Sequence, residues 1–380
     1  MKRNIIALLL LTTVVSSWAC TSAIVSGKLT ANGRPLLWKN RDTGDQNNRV
    51  ERKKAINGKY EFIAVFDSRD YKDSAAWMGF NEKGFAIMNT ASYNLNKDNV
   101  KEKDMDKEGV VMKKALEECV TVDDFEALLK KLKKPLGVEA NFGVIDAQGN
   151  GAYFETGNYS YVKYDLKDAP DGILTRTNYS YSGRSDEGYG YIREKNEQHL
   201  LAKHITARDL TPAVFTEELS RTFYHSKLDK DYTYSGARWI VDQDFIPRRI
   251  STATMVIEGV LPGEDPSLTT MWIGLGYVPC SEIRAVWTGE GGLPEELTGS
   301  GPNRRSKLSD EAQKRKDEVF SIRRGNGEHY IDLSKLYNVE GTGYCQQLIP
   351  KNMETYRKGY EELARRRESL KPEKYNEKTP

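Results

Sequence analysis

Cys20 is the residue of this 380-residue sequence whose type and position best suit it to covalent chemistry. It follows Lys2 and Arg3, an apolar run from Ile5 to Val15, and Ser17-Trp18-Ala19, which puts small residues at both cleavage-determining positions. That order is the pattern of a secretory signal peptide, residues 1–19, removed before Cys20. Removal would leave the thiol beside its own α-amino group, which ordinarily titrates near about 7.7. Such an amine can take the proton of a thiol and later hand it to a departing amine. One residue then supplies nucleophile, base and acid, the set that cleavage of an amide through an acyl-enzyme needs.

A second reading of Cys20 is a lipid-anchored residue on a noncatalytic outer-membrane lipoprotein. That pattern wants Leu or a similar residue three before the cysteine and a small one two before, where this chain has Ser17 and Trp18. The residues favour ordinary cleavage, a free amine, and export to the periplasm or the extracellular space. The apolar run falls short of the ~20 residues of a membrane span, and no later segment has its character, so no transmembrane segment is expected after signal removal.

An amine base must be oriented, and a tetrahedral oxyanion needs donors worth ~3 kcal/mol each. Asp42 stands at the end of the second apolar run after Cys20, where its carboxylate could return to the amine, with Lys39 and Arg41 bringing positive charge. The plainer reading of Lys39-Asn40-Arg41-Asp42 is a polar turn.

The elements that would position these groups begin with a hairpin. Ser22 to Val25 and Pro35 to Trp38 are apolar runs separated by the turn residues Ala31-Asn32-Gly33. Strand patterns follow at Tyr60 to Phe66, Ala75 to Phe80 and Gly84 to Asn89, then helical periodicity over Val110 to Cys119 and from Thr121 or Val122 to Leu132, with Thr121 as cap. Strands resume at Asn141 to Ile145 and Gly151 to Glu155, helices at Glu194 to Lys203 and Thr211 to Ser220, and strands at Thr252 to Glu258 and Thr269 to Leu275. The order predicts an α+β fold of antiparallel sheets covered by helices. The domain reading is a catalytic domain over 20–301 and a charged helical extension over 302–380, with helices at Ser309 to Ile322 and Asn352 to Leu370, packed on the main body.

Composition narrows the partners. Lys plus Arg (57) nearly cancel Asp plus Glu (55), for a net charge of +2, so neither nucleic acid nor an anionic membrane is expected. Cys119, Cys280 and Cys345 lack the paired short spacing of a zinc or redox site, so no metal and no cofactor is expected. An oxidising compartment permits one disulfide among the three, without choosing it. His199, His204 and His225 have no Gly-x-Ser-x-Gly elbow to serve. The expected partner is a small-molecule amide; homo-oligomerisation is left open.

Cys20-Thr21-Ser22, followed by Asn32-Gly33-Arg34-Pro35-Leu36-Leu37-Trp38-Lys39-Asn40-Arg41-Asp42-Thr43, resembles the start of mature Ntn hydrolases of the choloylglycine hydrolase, penicillin V acylase and isopenicillin-N acyltransferase-like group. Gly79 to Ile87, Ile173 to Tyr179, and Ser251 to Val256 with Met271 to Cys280 are similar to later segments of that group, in the same order. The resemblance implies a four-layer αββα sandwich, Cys20 as nucleophile, Asp42 holding the amine, and Asn178 donating to the oxyanion, with a second donor from Asn89 to Ala91. It implies an N-acyl amide or short peptide-like linear amide as substrate, with acyl transfer to an amine as the variant. The bile-salt and penicillin enzymes carry arginine where this chain has Lys39, with Arg41 next to the aspartate, and Arg249 is the candidate for their further active-site arginine. The acyltransferase-like branch fits better.

Overall fold

The computed structural model describes residues 20–289, 291–300, 302–322 and 329–370; the expected signal peptide and the end of the extension lie outside them. In chain order, β1 (Thr21–Val25) and β2 (Leu36–Asp42) are followed by β3 (Asn48–Lys53), β4 (Phe62–Asp67), β5 (Met78–Asn81) and β6 (Ala86–Ala91). Helices α1 (Glu108–Glu118) and α2 (Val122–Lys131) precede β7 (Ala140–Ile145), β8 (Gly151–Thr156), β9 (Tyr161–Asp165) and β10 (Ile173–Arg176). Then come α3 (Tyr191–Ala207), the short strands β11 (Tyr224–His225), β12 (Lys230–Asp231) and β13 (Trp239–Val241), and the strands β14 (Ser251–Glu258), β15 (Thr270–Leu275) and β16 (Ile283–Val286). The chain ends in α4 (Lys307–Val319), β17 (Tyr330–Asp332) and α5 (Tyr344–Ser369).

Two large sheets result, a six-stranded one in the order β10-β1-β2-β14-β15-β16 and a seven-stranded meander β3-β4-β5-β6-β7-β8-β9, antiparallel throughout. Because side chains alternate along a strand, each sheet has two apolar faces. Ile24, Leu37, Met255 and Ile273 meet Val50, Ile63, Met78 and Met88 between the sheets. On its outer face the seven-stranded sheet buries Phe85, Phe142 and Phe154 under Met112, Leu116, Phe125 and Leu129 of α1 and α2. The six-stranded sheet buries Ala23, Trp38, Val256 and Trp272 under Leu201 of α3, Val214 and Phe215, and Tyr356 and Leu363 of α5. The four layers, helix, sheet, sheet, helix, are those expected.

Local chemistry explains where the elements stop and where the reading of the sequence was incomplete. Thr121 caps α2 with a full capping box, its side chain bonding Asp124 N and the Asp124 side chain returning to Thr121 N. The helix expected over Thr211 to Ser220 is instead a π-helical turn at Val214–Glu218 followed by a single tight turn. There Ser220 Oγ bonds Phe215 O at 2.8 Å and Arg221 Nε bonds Thr216 O at 3.2 Å, both five residues back. Helix α5 runs eight residues further toward the N-terminus than the periodicity suggested, with Pro350 inside it. Strand β3, which the sequence did not reveal, is the outer strand of its sheet. Arg49 and Lys53 on β3 and Arg304 all pair with Asp73, and Arg304 also reaches Glu51 of β3.

Candidate active site

Cys20 stands one position before β1, and the registers of β1 set its neighbours. Ser22 pairs with Arg176 and Thr21 with Asn40, so continuing the two registers, by two steps and by one, places Cys20 opposite Asn178 on one side and Arg41 on the other. The residue is buried, and its Sγ lies 3.9 Å from the backbone oxygen of Asp42. Its backbone nitrogen donates to Asn178 Oδ1 at 2.7 Å.

Asn178 is itself held on every side. It is fully buried, and its Nδ2 donates to Ala91 O at 2.9 Å, at the end of β6. Its backbone pairs with Tyr189, which closes the loop between β10 and α3. Asn141 of β7 grips the chain on both sides of it, donating to Thr177 O and Tyr179 O. Asn178 Oδ1 takes a second donor, Arg193 Nη2, at 2.9 Å.

Arg193, which sequence reasoning missed, projects from the first turn of α3 into this cluster. Its Nη1 donates to Cys20 O and to Thr21 Oγ1, the latter at 3.0 Å. A single guanidinium fork therefore fixes the Cys20 carbonyl and the amide that receives the Cys20 nitrogen, a geometry an ammonium could not reproduce. Burial, with help from nearby Arg248, pulls Arg193 down to about 10, so it stays charged at neutral pH. Gly190, the residue before α3, has φ +97°, and a Cβ there would lie 2.5 Å from Arg193 Nη2 and 2.6 Å from Thr177 Oγ1.

Alternation along β2 divides the predicted residues between two sides. Lys39 and Arg41 share the inner face with Leu37 and point toward the seven-stranded sheet. Lys39 Nζ donates to Asn89 Oδ1 of β6 at 2.9 Å and to Trp77 O at 3.2 Å. Burial lowers Lys39 to about 8, partly countered by the neighbouring Cys20. The Asn89 side chain makes no other hydrogen bond among the described residues, which leaves its Nδ2 donors uncommitted. Arg41 is occupied by Asp67, at 2.9 Å, and by Asn48, and its guanidinium lies over the Trp77 ring. It ties the sheets together.

Asp42 faces the other way, with Asn40, and its carboxylate makes no hydrogen bond to the Cys20 nitrogen among the described residues. Both oxygens are taken: Oδ1 by Ser251 Oγ at 2.6 Å and Asn40 Nδ2 at 3.1 Å, Oδ2 by Arg248 Nε and Nη2 at 3.1 Å each. A bulge in β14 between Ser251 and Ala253 sets Ser251 under it. Burial raises the Asp42 carboxyl, and Arg248 and Arg193 oppose that. The arginine on Asp42 is thus Arg248. Arg249 is exposed, and its backbone N–H bonds Asp242. The hydrogen bond that the Cys20 nitrogen makes in this structure goes to Asn178.

The constellation can do acyl chemistry. A buried sulfur and its own nitrogen are fixed relative to one another, the Lys39 cation is close enough to interact with Cys20 and bonds the Asn89 amide, and no group of His, Cys, Asp and Glu suited to a metal occurs among the described residues. No described helix is long and apolar enough to cross a membrane.

The family model for acyl-coenzyme A:6-aminopenicillanic acid acyl-transferase matches residues 30–236, more than half of the chain. No curated protein matches in sequence. Among solved structures, a mutant conjugated bile acid hydrolase from Clostridium perfringens is similar at 13% identity, over 71% of this chain and 92% of its own, with a TM-score of 0.41. Penicillin V acylase from Agrobacterium tumefaciens is similar at 11% identity, over 71% and 87%, with a TM-score of 0.40. A Caenorhabditis elegans ortholog of N-acylethanolamine-hydrolyzing acid amidase is similar at 12% identity, over 64% and 94%, with a TM-score of 0.39.

Proposed function

This chain belongs to the acyl-coenzyme A:6-aminopenicillanic acid acyl-transferase family of Ntn enzymes, and on that premise we propose that it is an exported enzyme in which Cys20, freed by removal of residues 1–19, cleaves a linear amide through a thioester. The observation that carries the proposal is the 2.7 Å bond from Cys20 N to Asn178 Oδ1, with Arg193 fixing both partners. As a free amine, that nitrogen gives one N–H to Asn178 and keeps its lone pair for the thiol.

The thiol proton passes to the Cys20 amine as Sγ bonds to the amide carbon. The oxyanion is received by Asn89 Nδ2 and by the second Nδ2 hydrogen of Asn178, with Lys39 supplying positive charge. The ammonium then gives its proton to the leaving nitrogen as the C–N bond breaks, leaving a thioester. Water attacks that thioester, its proton again taken by the Cys20 amine, and the acid departs as Sγ regains a proton. Asp42 supports the end of β2 through Arg248 and Ser251.

The family's name favours a second outcome for the same thioester, in which an amine replaces water and the acyl group is transferred. Product analysis with and without an added amine separates the two. The processed chain should turn over a member of a panel of N-acyl amides, while Cys20→Ala and a precursor with cleavage blocked should not. Equal turnover by either would end the proposal, and an acylated Cys20 nitrogen in the intact mass of the mature protein would favour the lipoprotein.

A further inference from the structure

The four cysteines do not lie at random. Cys20 is in the site, and Cys119 is buried at the C-terminal end of α1, away from the other cysteines' clusters. Cys280 and Cys345 sit in one apolar cluster, both fully buried, with Phe223, Tyr277, Phe320, Leu333 and Leu336. Cys345, at the start of α5, has its Sγ 3.2 Å from the carbonyl oxygen of Pro279, the residue joined to Cys280. A carbonyl oxygen lies ~2.8 Å from the next Cα, so that sulfur is within about 6 Å of the Cys280 Cα. In a disulfide a sulfur stands about 4 Å from its partner's Cα, given an S–S length of ~2.05 Å. Both thiols are free in this structure and Cys345 also lies against Arg221 and Tyr337, so joining them takes a rotation of the Cys280 side chain and a shift of the Val278–Cys280 turn.

We propose that Cys280 and Cys345 are joined by a disulfide in the mature protein, an inference that rests on the exported reading because a reducing compartment would keep both thiols. A protein disulfide oxidant is the co-reactant. One cysteine thiolate attacks the oxidant's disulfide and releases one oxidant thiolate. The second cysteine thiolate then attacks the mixed disulfide and releases the other, so two protons and two electrons leave the pair and the oxidant ends as a dithiol. The bond forms as the chain folds, before the cluster closes over it. Its effect is to fasten the start of α5 to the β15–β16 connection, enclosing β16, α4 and β17 in a covalent loop.

The test is thiol mapping of the full mature chain, denatured in alkylating reagent without reductant and digested. The expected result is one cross-linked species containing Cys280 and Cys345, with Cys20 and Cys119 singly alkylated. Reductant should lower Tm by roughly 5–10 °C, and that response should vanish in Cys345→Ala and in Cys280→Ser but persist in Cys119→Ala. Single alkylation of both Cys280 and Cys345 after refolding the purified chain in oxidised and reduced glutathione would overturn the disulfide. A chain retained in the cell with its leader intact would instead refute export, and the refolding experiment would still decide the bond.

Discussion

Arg193→Met removes the fork that holds Cys20 without touching the sulfur or the nitrogen. Three hydrogen bonds are lost, to Cys20 O, Thr21 Oγ1 and Asn178 Oδ1. A bond to a charged group contributes about 1.5–3 kcal/mol net. If only the Asn178 bond is expressed in the aligned transition state, kcat falls roughly 10–150-fold, at 1.36 kcal/mol per decade. The other two bonds should appear as lost stability, since both acceptors are buried. KM should change little, because Arg193 is expected to bind the enzyme's own residues and not the amide. Two assays read this: turnover of the best N-acyl amide, and the rate of Cys20 alkylation by iodoacetamide across pH, which needs no substrate. Arg193→Lys, keeping charge but not the fork, should fall between the two. A folded Arg193→Met protein with turnover and alkylation within twofold of the native enzyme would refute the positioning argument.

Lys39, lowered to about 8 from 10.5, gives two opposed pH effects. Activity should fall as pH rises through about 8, where the cation is lost; stability should rise between about 8 and 10.5, where the unfolded chain binds the extra proton. Comparing kcat/KM profiles and urea midpoints with those of Lys39→Met tests both, and identical profiles would remove Lys39 from the mechanism. Asp42→Asn leaves the Arg248 guanidinium against a neutral amide and should cost about 3 kcal/mol, as breaking a buried pair does; denaturation with an unchanged midpoint would show that the pair supports nothing.

Much of the scaffold was legible because its cores obey simple periods. The β1–β2 hairpin, the strands β4 to β8 and the capped helix α2 were all visible from alternation, turn residues or capping chemistry. Cys20 and Asn178 are brought together, and Lys39 reaches Asn89 of β6. Arg193 was not legible for a physical reason. The buried side of α3 carries Arg193, Glu194, Asn196 and Glu197 before it reaches Leu201, and a search for apolar stripes reads such a face as solvated. The helix was therefore started at Glu194, one residue past the side chain that matters. Asp42 was correctly seen at a strand end, but the face it occupies depends on the partner strand β14 and its bulge, more than 200 residues away.

The charges that concealed β3 have a consequence of their own. An outermost strand offers a row of unpaired amides and carbonyls on which a foreign chain could align, and a bare apolar margin invites runaway stacking. Arg52 and Lys53 make this margin costly to desolvate, and Arg304 and the buried Arg49 join Asp73 in a lattice of opposite charges beside it. A strand so rich in charge is a poor template for the unwanted polymerisation that a bare border would invite.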